Sequence, residues 1–156
     1  MGPADRFPDL APVERGKSPL PSGPLTPEVM GAIRYIRRNY GSIVQVEDIP
    51  EALGCPYNTL RRNFRRETRL TLAGFLALVR VRAAIRFMEQ TDRLIKEIAW
   101  EVGLEYEERL TRAFVRLTGH TPQYVRARSR LRRLIQDSLD RSGRFCGSKM
   151  RVKNSD

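Results

Sequence analysis

The sequence predicts an all-α protein, and three observations lead there. Apolar residues recur at helical spacing, most clearly in Leu72, Phe75, Leu76, Val79, Ala83, Phe87 and Met88. Strand signals are scarce throughout. One pattern is also written twice. Ile49, Leu53, Gly54, Leu60, Arg62 and Phe64 reappear as Ile98, Val102, Gly103, Leu110, Arg112 and Phe114, offset by 49 residues up to the glycine and by 50 after it. Each copy is a short apolar-periodic run, a glycine, then a second run studded with arginine. That is the layout of a helix, a tight turn and a second helix.

The elements follow in order. Residues 1–24 contain six prolines and are expected to bury little and stay disordered. Order begins at Thr26-Pro27-Glu28, where Thr26 can cap a helix, Pro27 suits its first position and Glu28 complements its positive end. Val29, Ile33 and Ile36 share one face, and Asn39 to Gly41 stop this helix. The first motif occupies roughly 45–67, a long apolar helix roughly 71–89, and the second motif roughly 94–117. The apolar stripe of the long helix reads as core that holds the motifs at a fixed separation. Thr121-Pro122 repeats the capped start and opens a short helix through Arg126. Leu131, Leu134, Ile135 and Leu139 extend the chain as a weaker amphipathic helix, and a frayed basic tail is expected from Ser142 onward. The domain organisation is thus a proline-rich segment over 1–24, a helical domain over 25–127 and a basic C-terminal helix and tail over 128–156.

Charge narrows the partners. The chain carries 29 basic and 18 acidic residues, a net +11, and residues 127–156 hold nine basic against three acidic. A field of this sign attracts polyanions, although many small proteins are basic for solubility alone. Two cysteines, Cys55 and Cys146, make no disulfide framework and are expected to be reduced, as in a cytoplasmic protein. No stretch is apolar enough to span a membrane, and nothing near the start resembles a signal peptide. A single histidine, His120, rules out a histidine pair. Paired acids in an apolar setting, a phosphate-cradling glycine loop and metal-ligand spacing are also missing, so the chain reads as a binding protein without cofactor or metal rather than an enzyme.

The second run of each motif carries the outward chemistry. In the first motif Leu60 and Phe64 turn inward, which leaves Tyr57, Asn58, Arg61, Arg62 and Arg65 outward near its start. Arginine can bond guanine O6 and N7 bidentately, and asparagine can do the same to adenine. In the second motif Leu110, Ala113 and Phe114 turn inward, leaving Glu107, Glu108, Thr111 and Arg112 outward, at the positions a recognition helix uses on base edges. Arg66 and Arg116 sit where phosphate contact is expected. Gly103 makes the second turn and needs positive φ. Arg80 and Arg82 could pair with Glu97 or Glu101, and Trp100 lies at the edge of the second unit.

Several stretches together resemble the DNA-binding domain of the AraC/XylS family of bacterial transcription regulators. They are Ala32-Ile33-Arg34-Tyr35-Ile36, Leu60-x-Arg62-x-Phe64 and Arg80-x-Arg82-x-Ala84, followed by Ile95-x-Glu97-Ile98-Ala99-x-x-x-Gly103, Leu110-Thr111-Arg112-Ala113-Phe114 and Gly119-x-Thr121-Pro122-x-x-Val125-Arg126. The resemblance covers about residues 27 to 127. It implies a seven-helix fold with two helix-turn-helix subdomains joined by the long helix, to which the weaker C-terminal helix would be added. It implies double-stranded DNA as partner, read by two recognition helices in successive major grooves about 34 Å apart. The chain is similar to the short members that lack a sensing domain, bind as monomers and contact RNA polymerase.

Four features depart from the family pattern. Pro50 stands where alanine is usual; a helix starting near Asp48 would make it harmless. Pro56 replaces the usual capping serine, which leaves Cys55 a poor cap. Arg69 replaces the glycine whose counterpart, Gly119, is kept. Glu107 and Glu108 replace neutral polar residues; they can accept from cytosine N4 or merely stabilise the helix start. These departures raise an alternative: a degenerate family member that binds a protein partner, such as RNA polymerase or a relative, without specific DNA readout. The C-terminal arginines 126, 128, 130, 132 and 133 form a solvated face, a phosphate grip or a docking contact.

Overall fold

The computed structural model describes residues 23–145, with side chains through residue 138; Cys146 and nearly all of the proline-rich N-terminal segment lie outside that range. Among the described residues there are seven helices and no strand: α1 (Pro27–Asn39), α2 (Asp48–Leu53), α3 (Tyr57–Thr68), α4 (Leu72–Gln90), α5 (Ile95–Glu101), α6 (Glu107–Thr118) and α7 (Pro122–Phe145). The all-α expectation and the placement of both motifs hold. The C-terminal region differs: α7 runs unbroken from Pro122 to Phe145, through the expected boundary at 127/128 and past Ser142. Nothing between Arg126 and Ser142 is a helix breaker, so one helix continues where two were expected.

Two cores flank α4. Val29, Ala32 and Ile36 of α1 meet Ile43, Ile49, Leu60, Phe64, Leu72 and Leu76 in the first. Val81, Ala83, Ala84, Ile85 and Met88 of α4 meet Ile95, Ile98, Ala99, Val102, Leu110 and Phe114 in the second. The N-terminal half of α4 therefore belongs to one motif and its C-terminal half to the other. Phe64 and Phe114 are repeat mates, and both are completely buried. Truncating either to alanine costs about 3–5 kcal/mol through lost burial and the remaining cavity.

The duplication reaches into the caps. Thr68 Oγ1 donates to the Phe64 carbonyl at 2.7 Å and accepts from the Leu70 N–H at 3.2 Å. Thr118 Oγ1 repeats this on Phe114 at 2.8 Å and His120 at 3.2 Å. Thr71 accepts from the Gly74 N–H at the start of α4, and Thr121 from the Tyr124 N–H at the start of α7. Arg69 and Gly119 close α3 and α6 in the left-handed region, with φ of 63° and 74°. Arginine thus occupies a conformation that costs an L-residue about 1–2 kcal/mol.

Two expectations at helix starts resolve differently. Thr26 holds the N-cap position of α1, but its side chain makes no cap bond. Its N–H and hydroxyl instead both donate to Glu67 Oε2, at 2.9 and 3.2 Å, and so tie the entry of α1 to the end of α3. Pro50 is the third residue of α2, inside the first turn where backbone N–H groups have no intrahelical partner, and it is accommodated. Pro56 is itself the N-cap of α3, with extended φ and ψ.

Candidate nucleic-acid interface

The exposed face of α3 follows from what its inner face must bury. Leu60, Phe64 and Thr68 recur every four residues and are buried, so the remaining surface goes to polar side chains. Tyr57, Asn58, Arg61, Arg62, Arg65 and Arg66 are all exposed. Asn58, Arg61, Arg62, Arg65 and Arg66 together line a shallow concavity of about 390 Å³; Tyr57, ahead of them on the first turn, does not. Arg66 is paired with Glu67 at 3.1 Å. Among the described residues Arg61, Arg62 and Arg65 have no carboxylate partner. Arg61 with Arg65, and Arg62 with Arg66, are like-charge pairs one turn apart, each destabilising a helix by about 0.2–0.5 kcal/mol. A bound polyanion would relieve that repulsion.

The second motif presents a different face. Glu108, Arg112 and Arg116 of α6 are exposed, and Thr111 is half-buried. Glu107 is also half-buried, and its Oε1 accepts from the Gln123 side-chain amide at 3.0 Å, joining α6 to the first turn of α7. The four residues expected to face outward are thus not equivalent: Glu107 holds an internal contact and Glu108 faces solvent. Sequence reasoning missed Arg109, whose guanidinium lies over the Tyr106 ring at 5.7 Å, with both groups exposed at the start of α6. The available signal was its spacing, three residues after Tyr106 and so on the same side of the helix start. Nothing local flags Gln123, which lies 16 residues from its partner.

The helix starts differ too. Neither α3 nor α6 has a side-chain cap bond, so first-turn N–H groups keep the partial positive charge of a helix N-terminus. In α6 Glu107 and Glu108 offset that charge, whereas α3 has no acid in its first turn. One face is uniformly cationic and the other mixed.

Several residues expected to pair do so elsewhere. Arg80 does not reach Glu97 or Glu101. It is buried, and its Nε and Nη2 donate to the carbonyls of Tyr40 at 3.0 Å and Ile43 at 2.6 Å; burial lowers its pKa. Arg82 is exposed. Glu97 accepts from the Leu94 N–H at 2.8 Å, and Glu101 pairs with Arg93 at 3.3 Å. Trp100 is exposed, and His120 stacks on Tyr124 with ring centroids 4.5 Å apart. Three of the C-terminal arginines are engaged at the end of α4. Arg126 donates to the Arg93 carbonyl, Arg130 pairs with Asp92 at 3.4 Å, and Arg133 reaches the Met88 carbonyl at 3.5 Å. Cations there complement the helix dipole. No helix among the described residues is long and apolar enough to cross a membrane, and no described cluster of acids, histidine and cysteine could hold a metal.

A helix-turn-helix pair on each side of a linker helix, each with an exposed polar second helix, defines a DNA-binding regulator domain. A family model described as a helix-turn-helix domain matches residues 50–128, and the chain belongs to the AraC/XylS family. It is 31% identical over 98 residues to the bifunctional transcriptional activator/DNA repair enzyme AdaA of Bacillus subtilis, covering 62% of this chain and 46% of that protein. It is 33% identical over 85 residues to the transcriptional activator RhaR of Klebsiella pneumoniae, covering 54% and 30%. The chain thus matches less than half the length of either relative. Among solved structures it is similar to the C-terminal domain of AraT, a response regulator from Geobacillus stearothermophilus, with a TM-score of 0.64, 26% identity and coverage of 67% and 88%. It is equally similar to the DNA-binding domain of the global transcriptional factor AdpA in complex with a target DNA, with a TM-score of 0.64, 25% identity and coverage of 69% and 97%.

Proposed function

We propose that this chain is a sequence-specific DNA-binding transcription regulator that inserts α3 and α6 into successive major grooves. The observation that carries this reading is the cationic face of α3, where Arg61, Arg62 and Arg65 are exposed without an acid partner among the described residues and ring a concavity with Asn58 and Arg66. Asn58, Arg61 and Arg62 read base edges in one groove, while Tyr57, Arg65 and Arg66 take its phosphates. In the next groove Glu108, Thr111 and Arg112 read bases and Arg116 takes phosphate. Glu107, held by Gln123, orients the start of α6 toward its groove. The two heads divide the work: α3 supplies affinity, and the mixed face of α6 supplies selectivity, because the repulsion between Glu108 and phosphate is offset only where a cytosine N4 donates to its carboxylate.

Both helices sit on one chain, so a monomer can cover two half-sites without a dimer. The family resemblance adds RNA polymerase as the protein partner. The alternative, a degenerate module without DNA readout, is motivated by Pro50, Pro56, Arg69 and the glutamate pair. Pro50 in a first turn and an α3 formed in full behind Pro56 favour the DNA reading, while the left-handed Arg69 and the two glutamates remain motives for the alternative.

The test is equilibrium binding of fluorescent duplex against salt, for the wild type and an Arg62→Ala, Arg112→Ala double variant. The wild type should lose affinity steeply with salt and prefer selected over random duplex. Each truncated arginine should cost about 1–3 kcal/mol on the selected site. Equal binding of every duplex at all salt concentrations would remove the proposal.

A further inference from the structure

Among the described residues the two motifs also meet directly beside the shared helix. Tyr40 packs against both cores. Beside it, the loop after α1 lies against the turn between α5 and α6. Gly41 and Gly103 face each other so closely that a Cβ on Gly103 would fall 2.5 Å from the Gly41 carbonyl oxygen and 2.9 Å from Arg80 Nη2. A Cβ on Gly41 would fall 3.1 Å from the Glu101 carbonyl oxygen. Gly103 also has a φ of 80°, so its lack of a side chain is required twice over. Arg80, from the middle of α4, closes the contact by donating to Tyr40 and Ile43 on the first unit while its guanidinium lies against Gly103 of the second. By contrast Gly54, the repeat mate of Gly103, has a similar φ of 62° but nothing within 4 Å of the added atom. The duplication made both glycines turns, and only the second became a contact.

We propose that Gly41, Arg80 and Gly103 form a positioning seam that fixes the angle between the two motifs, and thereby the separation of DNA half-sites the domain accepts. This rests on the two-groove reading above. A helix such as α4 alone would let the units rock about its long axis. The seam supplies a second attachment away from that axis, with backbone against backbone and the Tyr40 and Ile43 carbonyls held by Arg80. Base-edge hydrogen bonds weaken steeply with small errors of distance and angle, so a displacement at the seam is magnified where the recognition side chains end. None of the three residues need touch DNA; they are positioning residues.

The test has a structural arm and a DNA arm, both on the full chain. Spin labels at Arg61→Cys and Arg112→Cys, with Cys55→Ser and Cys146→Ser, report the distance between α3 and α6 without DNA. A single narrow distribution is expected for the parent. Gly103→Ala should shift or broaden it, Gly41→Ala should do so to a lesser degree, and Gly54→Ala should leave it unchanged while sharing the backbone strain. Gly41→Ala carries no positive-φ penalty and keeps the test open if Gly103→Ala fails to fold. In the DNA arm, unlabelled seam variants should bind an isolated half-site as the wild type does. They should lose roughly tenfold or more of the gain from a correctly spaced second half-site, since that gain depends on both heads engaging at once. Distance distributions in folded Gly41→Ala and Gly103→Ala identical to the parent would overturn the seam. A wild type that gains nothing from a second half-site, with distances behaving as expected, would overturn the two-groove reading and the seam's role on DNA, but not its control of the angle.

Discussion

At the residue scale, the telling contacts are between side chains and distant backbone. Arg80 bonds carbonyls 37 and 40 residues away, and Glu67 takes the N–H of Thr26 from 41 residues away. Spacing within a helix signals neither, which is why the sequence pointed Arg80 to Glu97 or Glu101 and Thr26 to an ordinary cap. Glu67 yields a pH prediction. The Thr26 N–H, foremost, holds its carboxyl below the ordinary value of 4.5, with Arg66 adding to the effect and burial opposing it. A folded pKa below the unfolded one means that the unfolded chain takes up the proton more readily. The stabilisation is therefore present above the unfolded value and disappears as pH falls through the folded value. Glu67→Gln should melt lower than the wild type at pH 7, and the two should converge as pH drops below about 4, in the range where an unperturbed carboxyl titrates. Thermal melts across that range check it, and a constant difference down to pH 2 would contradict it.

At the scale of elements, the sequence showed the motifs well because each is local. Helical periodicity, a turn glycine and a buried aromatic all lie within about 20 residues, and α2–α3 and α5–α6 formed where expected. Pro50 was legible for the same reason. The single continuous α7 was less so: the sequence shows no breaker after Arg126, but the contacts that seat the helix, Arg130 on Asp92 just past α4 and Arg133 on the Met88 carbonyl, come from across the fold. The second helices of the two motifs, α3 and α6, also end differently although they are copies. Glycine at the left-handed cap of α6 is free of the strain that Arg69 imposes on α3. Arg69→Gly should therefore stabilise the protein by about 0.5–1 kcal/mol after allowing for glycine's greater freedom when unfolded. That corresponds to a rise of about 2–6 °C in Tm. Calorimetry or circular dichroism would show it, and an unchanged or lower Tm would mean the strain is relieved in solution.

At the scale of the molecule, one linker helix shares its length between two cores, and a glycine-to-glycine contact clamped by Arg80 joins them a second time. The doubled motif in the sequence announced two units. Their mutual orientation was invisible there, because Gly41 carries no motif and Gly103 reads simply as a turn. The central claim, two heads reading one duplex together, is tested most directly by selecting bound sequences from random DNA. The expected outcome is a bipartite site, two conserved clusters about 10–10.5 base pairs apart, with Arg62→Ala relaxing one cluster and Arg112→Ala the other. Recovery of no enriched sequence, or of a single cluster indifferent to Arg112→Ala, would contradict it.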